Sequence, residues 1–166
     1  RHAFTHGFLT GLWAQEIARR QRGPVEEAFL CGLLHDVGTP LLLQAACDAL
    51  PDARERRDDV LAIVDAGHAA AGAELCRRWG MQERIASALE FHHVSSSGGS
   101  GGDLLRDIVV LANATADACD DDLDDAALVE HVLAHPAAAA LNLYDEDVVA
   151  LLARKATLLA TAGALH

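Results

Sequence analysis

Aromatic residues make up only 4% of this 166-residue chain, although 51% of it is apolar. Leu, Ala and Val must therefore build the interior, and the length suffices for one substantial core. With aromatic and β-branched residues scarce, strands are disfavoured, whereas Ala and Leu favour helix. No stretch reads as a convincing strand, and no segment repeats. Cysteine pairs at C-x-x-C spacing are missing too. Cys31, Cys47, Cys76 and Cys119 stand far apart among Leu, Ala and Val neighbours, which suits small buried thiols in a reducing compartment rather than a disulfide framework. No signal peptide is expected, and no apolar run is read as approaching the ~18 residues of a membrane span. Positive charge is in deficit: the formal net charge is -12, which disfavours nucleic acid or an anionic membrane as partner. A cytoplasmic protein with no nucleic-acid and no membrane partner is expected. Because the chain begins at Arg1 and not at Met, a longer parent protein is expected as well.

The apolar pattern divides the chain into helices. Residues 3–20 form the first, with Phe4, Phe8, Leu12 and Ile17 on its inner face and Arg19-Arg20 in its last turn. Gly23-Pro24 breaks it, and Pro24 suits the start of the next helix. That segment, VEEAFLCGLLHDVG, is apolar all round, as a buried helix is, and it places His35 and Asp36 near its end. A third helix is expected over Leu41–Leu50, ended by Pro51, and then an exposed charged stretch over 52–59. A short helix over Asp58–Asp65 follows, and a separate one opens at Gly67-His68 and closes at Gly80. QERIASALEFHH then ends at paired histidines. Residues 95–102, SSSGGSGG, read as a flexible loop. A long apolar helix over 103–119 leads to an acidic turn (Asp120, Asp121, Asp122, Asp124, Asp125) and two helices near 126–134 and 145–162. The expected fold is all-α, a single domain over 1–166 in a bundle of about seven to nine helices.

Seven polar groups stand out in this apolar frame: His6, His35, Asp36, His68, His92, His93 and Asp117. Neutral imidazole and ionised carboxylate are ordinary ligands for divalent metals, and seven such groups can hold two ions and leave a position for water. Each also has a plainer reading. His35 and Asp36 can be a hydrogen-bonded pair capping a core helix, His6 a satisfied core histidine, and His68 simply the start of its helix. His92 and His93 lie about 100° apart on an ideal helix, so both reach one centre only at a terminal turn. Asp117, within VVLANATADAC, reads as a buried or semi-buried carboxylate that needs a partner, and Asn113 lies one turn earlier. His131, His135 and His166 are expected at the surface. The acidic run lacks the spacing of a calcium loop. Trp13 and Trp79 are expected as core anchors, and most arginines as solvated helix ends.

The segments EEAFLCGLLHDVG, HAAAGAELCRRWGMQERIASALEFHH and HPAAAALNLYDEDVVALL resemble the HDOD family, a branch of the HD-domain superfamily, in order and in spacing. The resemblance covers the HD-like part of that family; the helical half that usually precedes it is expected to lie outside this sequence. In HD-type phosphohydrolases a first His, the His-Asp doublet and a later Asp bind one metal, which implies His6, His35, Asp36 and Asp117. Dinuclear relatives of the HD-GYP phosphodiesterase type add histidines that correspond to His68, His92 and His93. The implied cofactors are two divalent metal ions, with iron or manganese favoured and magnesium, zinc and nickel admissible. Asp36 is the implied bridge between them and the implied catalytic residue, with a water acidified by both ions as nucleophile. Two ions balanced by two carboxylates leave about +2, which welcomes an anionic phosphate.

Two departures weigh on catalysis. Enzymes of the HD-GYP type continue the doublet as H-D-x-G-K, and Thr39 stands here in place of that lysine. Their glycine-tyrosine-proline segment is also missing after His93, where Val94 and the Ser/Gly run follow. The resemblance thus leaves a metal-dependent phosphohydrolase, a phosphodiesterase acting on nucleotides or cyclic nucleotides, beside a non-catalytic signal-transduction module that retains the fold. A dinuclear iron oxygenase is the minor alternative. A phosphorylated small molecule or nucleotide, other signalling domains or proteins, and a second copy of the chain are the expected partners.

Overall fold

A computed structural model describes residues 2–50, 52–94, 103–120 and 123–164, apart from the side chains of His2, Ala3 and Asp120. Among these residues there are ten helices and no strand, so the fold is all-α as expected. The Ser/Gly run at 95–102, Asp121, Asp122 and His166 lie outside the described residues.

Helices α1 (His2–Arg20), α2 (Val25–Leu34) and α6 (Leu104–Asp120) form the centre, with α1 packed against both others. Leu9, Trp13 and Ile17 of α1 meet Ile108 and Leu111 of α6 in a continuous core. This corrects the inner face assigned to α1: Phe4 is exposed and Phe8 and Leu12 are only partly buried. The face is set instead by Leu9, Trp13 and Ile17, at four-residue spacing on a 3.6-residue helix. Around the C-terminal side, α7 (Asp125–Ala134), α8 (Pro136–Ala140), α9 (Asp145–Leu152) and α10 (Lys155–Gly163) complete the bundle. The segment expected as one helix over 145–162 breaks at Ala153 and Arg154, and α8 was not foreseen. Asp124, part of the expected solvated turn, is the N-cap of α7 and accepts a hydrogen bond from the Ala127 amide, as Asp does at helix starts.

The other half of the molecule is a helical hairpin. Helix α3 (Gly38–Ala49) packs along α4 (Arg57–Arg78), with a small core of its own in which Ala53, Val60 and Val64 meet Leu42, Leu43, Ala46 and Leu50. Two expectations fail here. Residues 58–65 and 68–78 belong to one helix, α4, with Gly67 inside it. Gly67 also faces the Leu42 side chain so closely that a Cβ there would stand 3.1 Å from Leu42 Cδ1. Ala53 is buried although its neighbours are charged. Short α5 (Glu83–Glu90) then bridges α4 and α6.

Several single-residue expectations change as well. Trp13 is fully buried, but Trp79 is 55% exposed at the end of α4, so only the first anchors the core. Cys31 and Cys76 are buried and Cys47 is an exposed free thiol; burial pushes the Cys31 thiol up to about 12. His131 is at the surface, whereas His135 is half-buried and caps α8 by accepting from the Ala137 amide. Taken through its central turn, Val25–Ala49 is long and apolar enough to cross a membrane by length and composition, a run not recognised in the sequence. Here it is two helices, with His35 and Asp36 at the joint and α2 packed against α1, α5 and α6.

Candidate metal centre

Two backbone contacts assemble the site. Where α1 crosses α2, a Cβ on Gly32 would stand 2.7 Å from Gly11 Cα, so only a glycine pair permits the crossing that sets His6 beside His35. Where α3 starts against α4, a Cβ on Gly38 would stand 2.0 Å from the His68 carbonyl oxygen. That approach sets Asp36 beside His68. Helix α2 ends at Leu34, and His35–Val37 form the turn between α2 and α3. His92 and His93 occupy the turn after α5, the terminal position that adjacent histidines need to reach one centre.

The rings form a chain of edge contacts. Centroid separations are 5.4 Å for His6–His35, 5.2 Å for His35–His92, 5.3 Å for His68–His92 and 4.9 Å for His68–His93. Asp36 lies at the middle. Its Oδ2 is 3.3 Å from His35 Nε2, and its Oδ1 is 3.3 Å from His68 Nε2 and 3.5 Å from His92 Nε2. Asp36 is half-buried, while His35, His68 and His92 are buried. Two groups of ligand atoms, each mutually within 4.8 Å, share Asp36: one with His68, His92 and His93, the other with His6 and His35.

The tautomers follow from the backbone. His35 Nδ1 donates to the Gly32 carbonyl at 2.8 Å, His92 Nδ1 to the Leu89 carbonyl at 2.6 Å, and His68 Nδ1 to the Asp65 carbonyl at 2.9 Å. A carbonyl only accepts, so each Nδ1 carries the hydrogen and each Nε2 of the neutral ring presents a lone pair towards Asp36. The buried Nε2 atoms of His35 and His92 make no hydrogen bond at all; their approach to Asp36 has ion-pair distance without hydrogen-bond alignment. Orphaned buried nitrogens are rare and costly. At the second group His93 Nε2 donates to His68 Nε2 at 2.8 Å, since the His68 hydrogen is committed to the backbone.

At the rim, His6 Nε2 lies 2.9 Å from Asn113 Oδ1, 3.5 Å from Thr10 Oγ1 and 3.7 Å from Asp117 Oδ1. Asn113 Nδ2 reaches Asp117 Oδ2 at 3.5 Å. The Asp117 side chain is 60% exposed, which corrects its reading as a buried or semi-buried carboxylate: it points from α6 to the edge of the cluster. All seven residues picked out in the sequence thus meet in one place, with Asp117 outermost. Asn113 takes a direct place beside His6, and fully buried Thr10 is an addition. Thr10 stands one helical turn after His6, a spacing that could have flagged it.

Electrostatics centre on Asp36. Burial alone would raise its carboxyl, but the His35 and His92 imidazoles outweigh that and hold it well below the usual carboxylate range. Burial likewise lowers His35, yet Asp36 and the Gly32 carbonyl prevail and leave it above the ordinary imidazole value. Burial and repulsion by His92 and His68 lower His93.

A cleft of about 530 Å³ opens on this cluster, a size that suits a small molecule. Asp36, His68 and His93 of the cluster line it together with Leu61, Ala62 and Val64 of α4. Thr39 and Asp65 are its remaining polar groups. Reading α4 as two helices hid this lining, because Leu61, Asp65 and His68 fall on one face only if the helix runs through Gly67.

An all-helical bundle with a His-Asp doublet at a helix joint defines an HD-like protein. The HDOD domain matches residues 1–95, more than half of the chain. The chain belongs to the HDOD family. A relative from Treponema pallidum (strain Nichols), named only as an uncharacterized protein, is 27% identical over 103 residues, 56% of this chain and 20% of its own. The chain therefore spans about a fifth of that relative's length. A crystal structure from Shewanella amazonensis SB2B, described as a "Putative phosphohydrolase", matches with a TM-score of 0.71 at 19% identity, covering 98% of this chain and 63% of its own. That likeness is one of fold.

Proposed function

We propose that the cluster is a dinuclear divalent-metal centre of a phosphohydrolase acting on phosphate esters. The observation that carries this reading is the pair of buried, partnerless Nε2 atoms on His35 and His92, each aimed at Asp36 with its Nδ1 anchored to a carbonyl. Backbone anchoring of one ring nitrogen is how proteins orient imidazoles that ligate metals through the other. His6, His35 and Asp36 would hold one ion, with Asp117 at its outer side. His68, His92 and His93 would hold the second, with Asp36 shared. The all-imidazole and carboxylate donor set suits iron or manganese, and also zinc or nickel, better than magnesium. When bound, such a pair supplies Lewis acidity and an acidified water for attack on phosphorus.

The chain's own groups do the rest. Asp36 stays ionised at every working pH, because its imidazole neighbours hold it low, and so it keeps a bridging charge in place. Thr39 supplies a hydroxyl at the cleft but no charge. Hydrolysis by this centre would form a bond from water oxygen to phosphorus and break the ester P–O bond, one hydrogen of the water staying on the phosphate and the other reaching the departing alkoxide by way of solvent at the open cleft. The free thiols of Cys31, Cys47 and Cys76 support a reducing, cytoplasmic setting.

The second reading is a signalling module that binds without turnover. It is favoured by the absence of any cationic side chain from the cleft lining among the described residues, where an HD-type phosphodiesterase would place a lysine. Metal analysis of protein purified without chelator decides first. About two equivalents of transition metal are expected, and less than about 0.2 with failed reconstitution would overturn the metal centre. Hydrolysis of bis(p-nitrophenyl) phosphate by the loaded protein then separates enzyme from module.

A further inference from the structure

We propose that the cleft selects phosphate esters whose alcohol carries an ammonium group, and rejects ligands with a second anionic group. The inference rests on the metal centre proposed above and adds the class of ligand. Leu61, Asp65 and His68 lie at i, i+4 and i+7 on α4, one face of one helix. At ~1.5 Å per residue, Asp65 stands about 4.5 Å along the axis from His68 and Leu61 about 10.5 Å. A phosphoryl group held at the His68 and Asp36 end therefore leaves a substituent two or three bonds further out beside the Asp65 carboxylate. Anything larger meets Leu61, Ala62 and Val64, which are apolar.

Charge makes this selective. Of the arginines flanking the site in sequence, Arg77 pairs with Glu83 and Glu90, Arg78 with Glu74, and Arg56 with Asp59, while exposed Arg57 opens α4 eight residues before Asp65. None of them lines the cleft. Asp65 is exposed; its carbonyl is engaged with His68, and its carboxylate has no hydrogen bond or ion pair among the described residues, so it is available to a ligand. A polyphosphate, or a dinucleotide with a second phosphate beyond the metals, would set that charge against Asp65 with no lysine or arginine in the cleft lining to offset it. A phosphorylated amino alcohol matches in both charge and length: phosphate at the metals, ammonium at Asp65. An exposed ion pair changes affinity by up to about fivefold, and like-charge repulsion acts the other way, so ammonium and carboxylate analogues should differ by about tenfold.

The test uses manganese-loaded protein and calorimetric titration with three esters of matched length: O-phosphoethanolamine, 2-phosphoglycolate and ethyl phosphate. Binding of phosphoethanolamine about tenfold more tightly than phosphoglycolate is expected. Asp65→Asn should shrink that ratio to about threefold or less, and Asp65→Lys should invert it, while ethyl phosphate binding stays nearly constant. Both substitutions are at an exposed side chain, and circular dichroism checks that helix content is kept. Flotation with phosphatidylethanolamine vesicles, against phosphatidylglycerol vesicles, tells a lipid headgroup from a soluble ester. Equal or tighter binding of phosphoglycolate, a preference that survives Asp65→Lys, retention on phosphatidylglycerol over phosphatidylethanolamine, or no binding of any ester would each overturn the inference. Those outcomes leave the metal centre standing. Failure to load manganese or any other transition metal is seen before an ester is added, and removes both.

Discussion

Asp36 Oδ1 lies 3.3 Å from His68 Nε2 because Gly38, two residues further on, has no side chain where it meets the His68 carbonyl. The polar centre and the glycine contact are therefore one feature of the fold. A Cβ at this position would stand 2.0 Å from that carbonyl oxygen and 2.7 Å from the Gly72 amide nitrogen, so Gly38→Ala must push α3 off α4. The expected cost is about 3 kcal/mol, a fall in melting temperature of roughly 6–12 °C for a chain of this size. Metal uptake should weaken in parallel. Gly163→Ala, where nothing among the described residues lies within 4 Å of the added carbon, should cost neither stability nor metal uptake. Thermal melting of the two variants with and without metal checks this.

The two ligand groups share only Asp36, so single substitutions should separate them. His6→Ala removes a ligand from the first group alone and should lower the metal content from about two equivalents to about one. His68→Ala should do the same to the second group, and it also unseats His93, whose Nε2 donates to it. Asp36→Ala should empty both, with helix content retained, because the carboxylate is half-exposed and not part of the hydrophobic core. Metal analysis after gel filtration gives the count. Retention of two ions in Asp36→Ala would show that the doublet is not the bridge.

How far the sequence reached depended on what kind of signal each residue carried. The candidate cluster was legible because His6, His35, Asp36, His68, His92, His93 and Asp117 are chemically conspicuous in an apolar frame, and the order of the segments carrying them resembles one family. The helical class was legible from Ala and Leu content. The course of α4 was not, since Gly67 reads as a breaker by propensity while in the fold it is the small residue that lets α3 lie close. Tertiary contact outweighed local preference there. Missing that continuity hid Leu61, Ala62, Val64 and Asp65, which are unremarkable residues until one helical face aligns them. Asp117 was misjudged for a related reason: most of its neighbours along α6 are buried, but its own side chain turns outward. Trp79 misled in the opposite sense, as a large apolar ring that the end of α4 leaves in solvent.

Metal uptake should depend on pH with a sign set by His35. Burial by itself would lower this imidazole, but Asp36 and the Gly32 carbonyl leave it above the ordinary value, so the metal-free protein holds a proton there to a higher pH than an exposed histidine does. His35 Nδ1 is committed to Gly32, and the added proton must sit on Nε2, the atom a metal needs. Metal and proton therefore compete. Above the raised His35 value the ring is neutral and affinity is insensitive to it. As pH falls through that value, affinity should drop by about tenfold per unit for the one proton displaced. His93 is lowered by burial and by its neighbours His92 and His68, so its proton competes with metal at lower pH than that of His35. Calorimetric metal titrations in buffers of different ionisation enthalpy, at several pH values between about 5.5 and 8 around the ordinary histidine value, should show close to one proton released at the acid end and a vanishing count at the alkaline end. A release that stays flat across this range would mean that His35 is not a ligand.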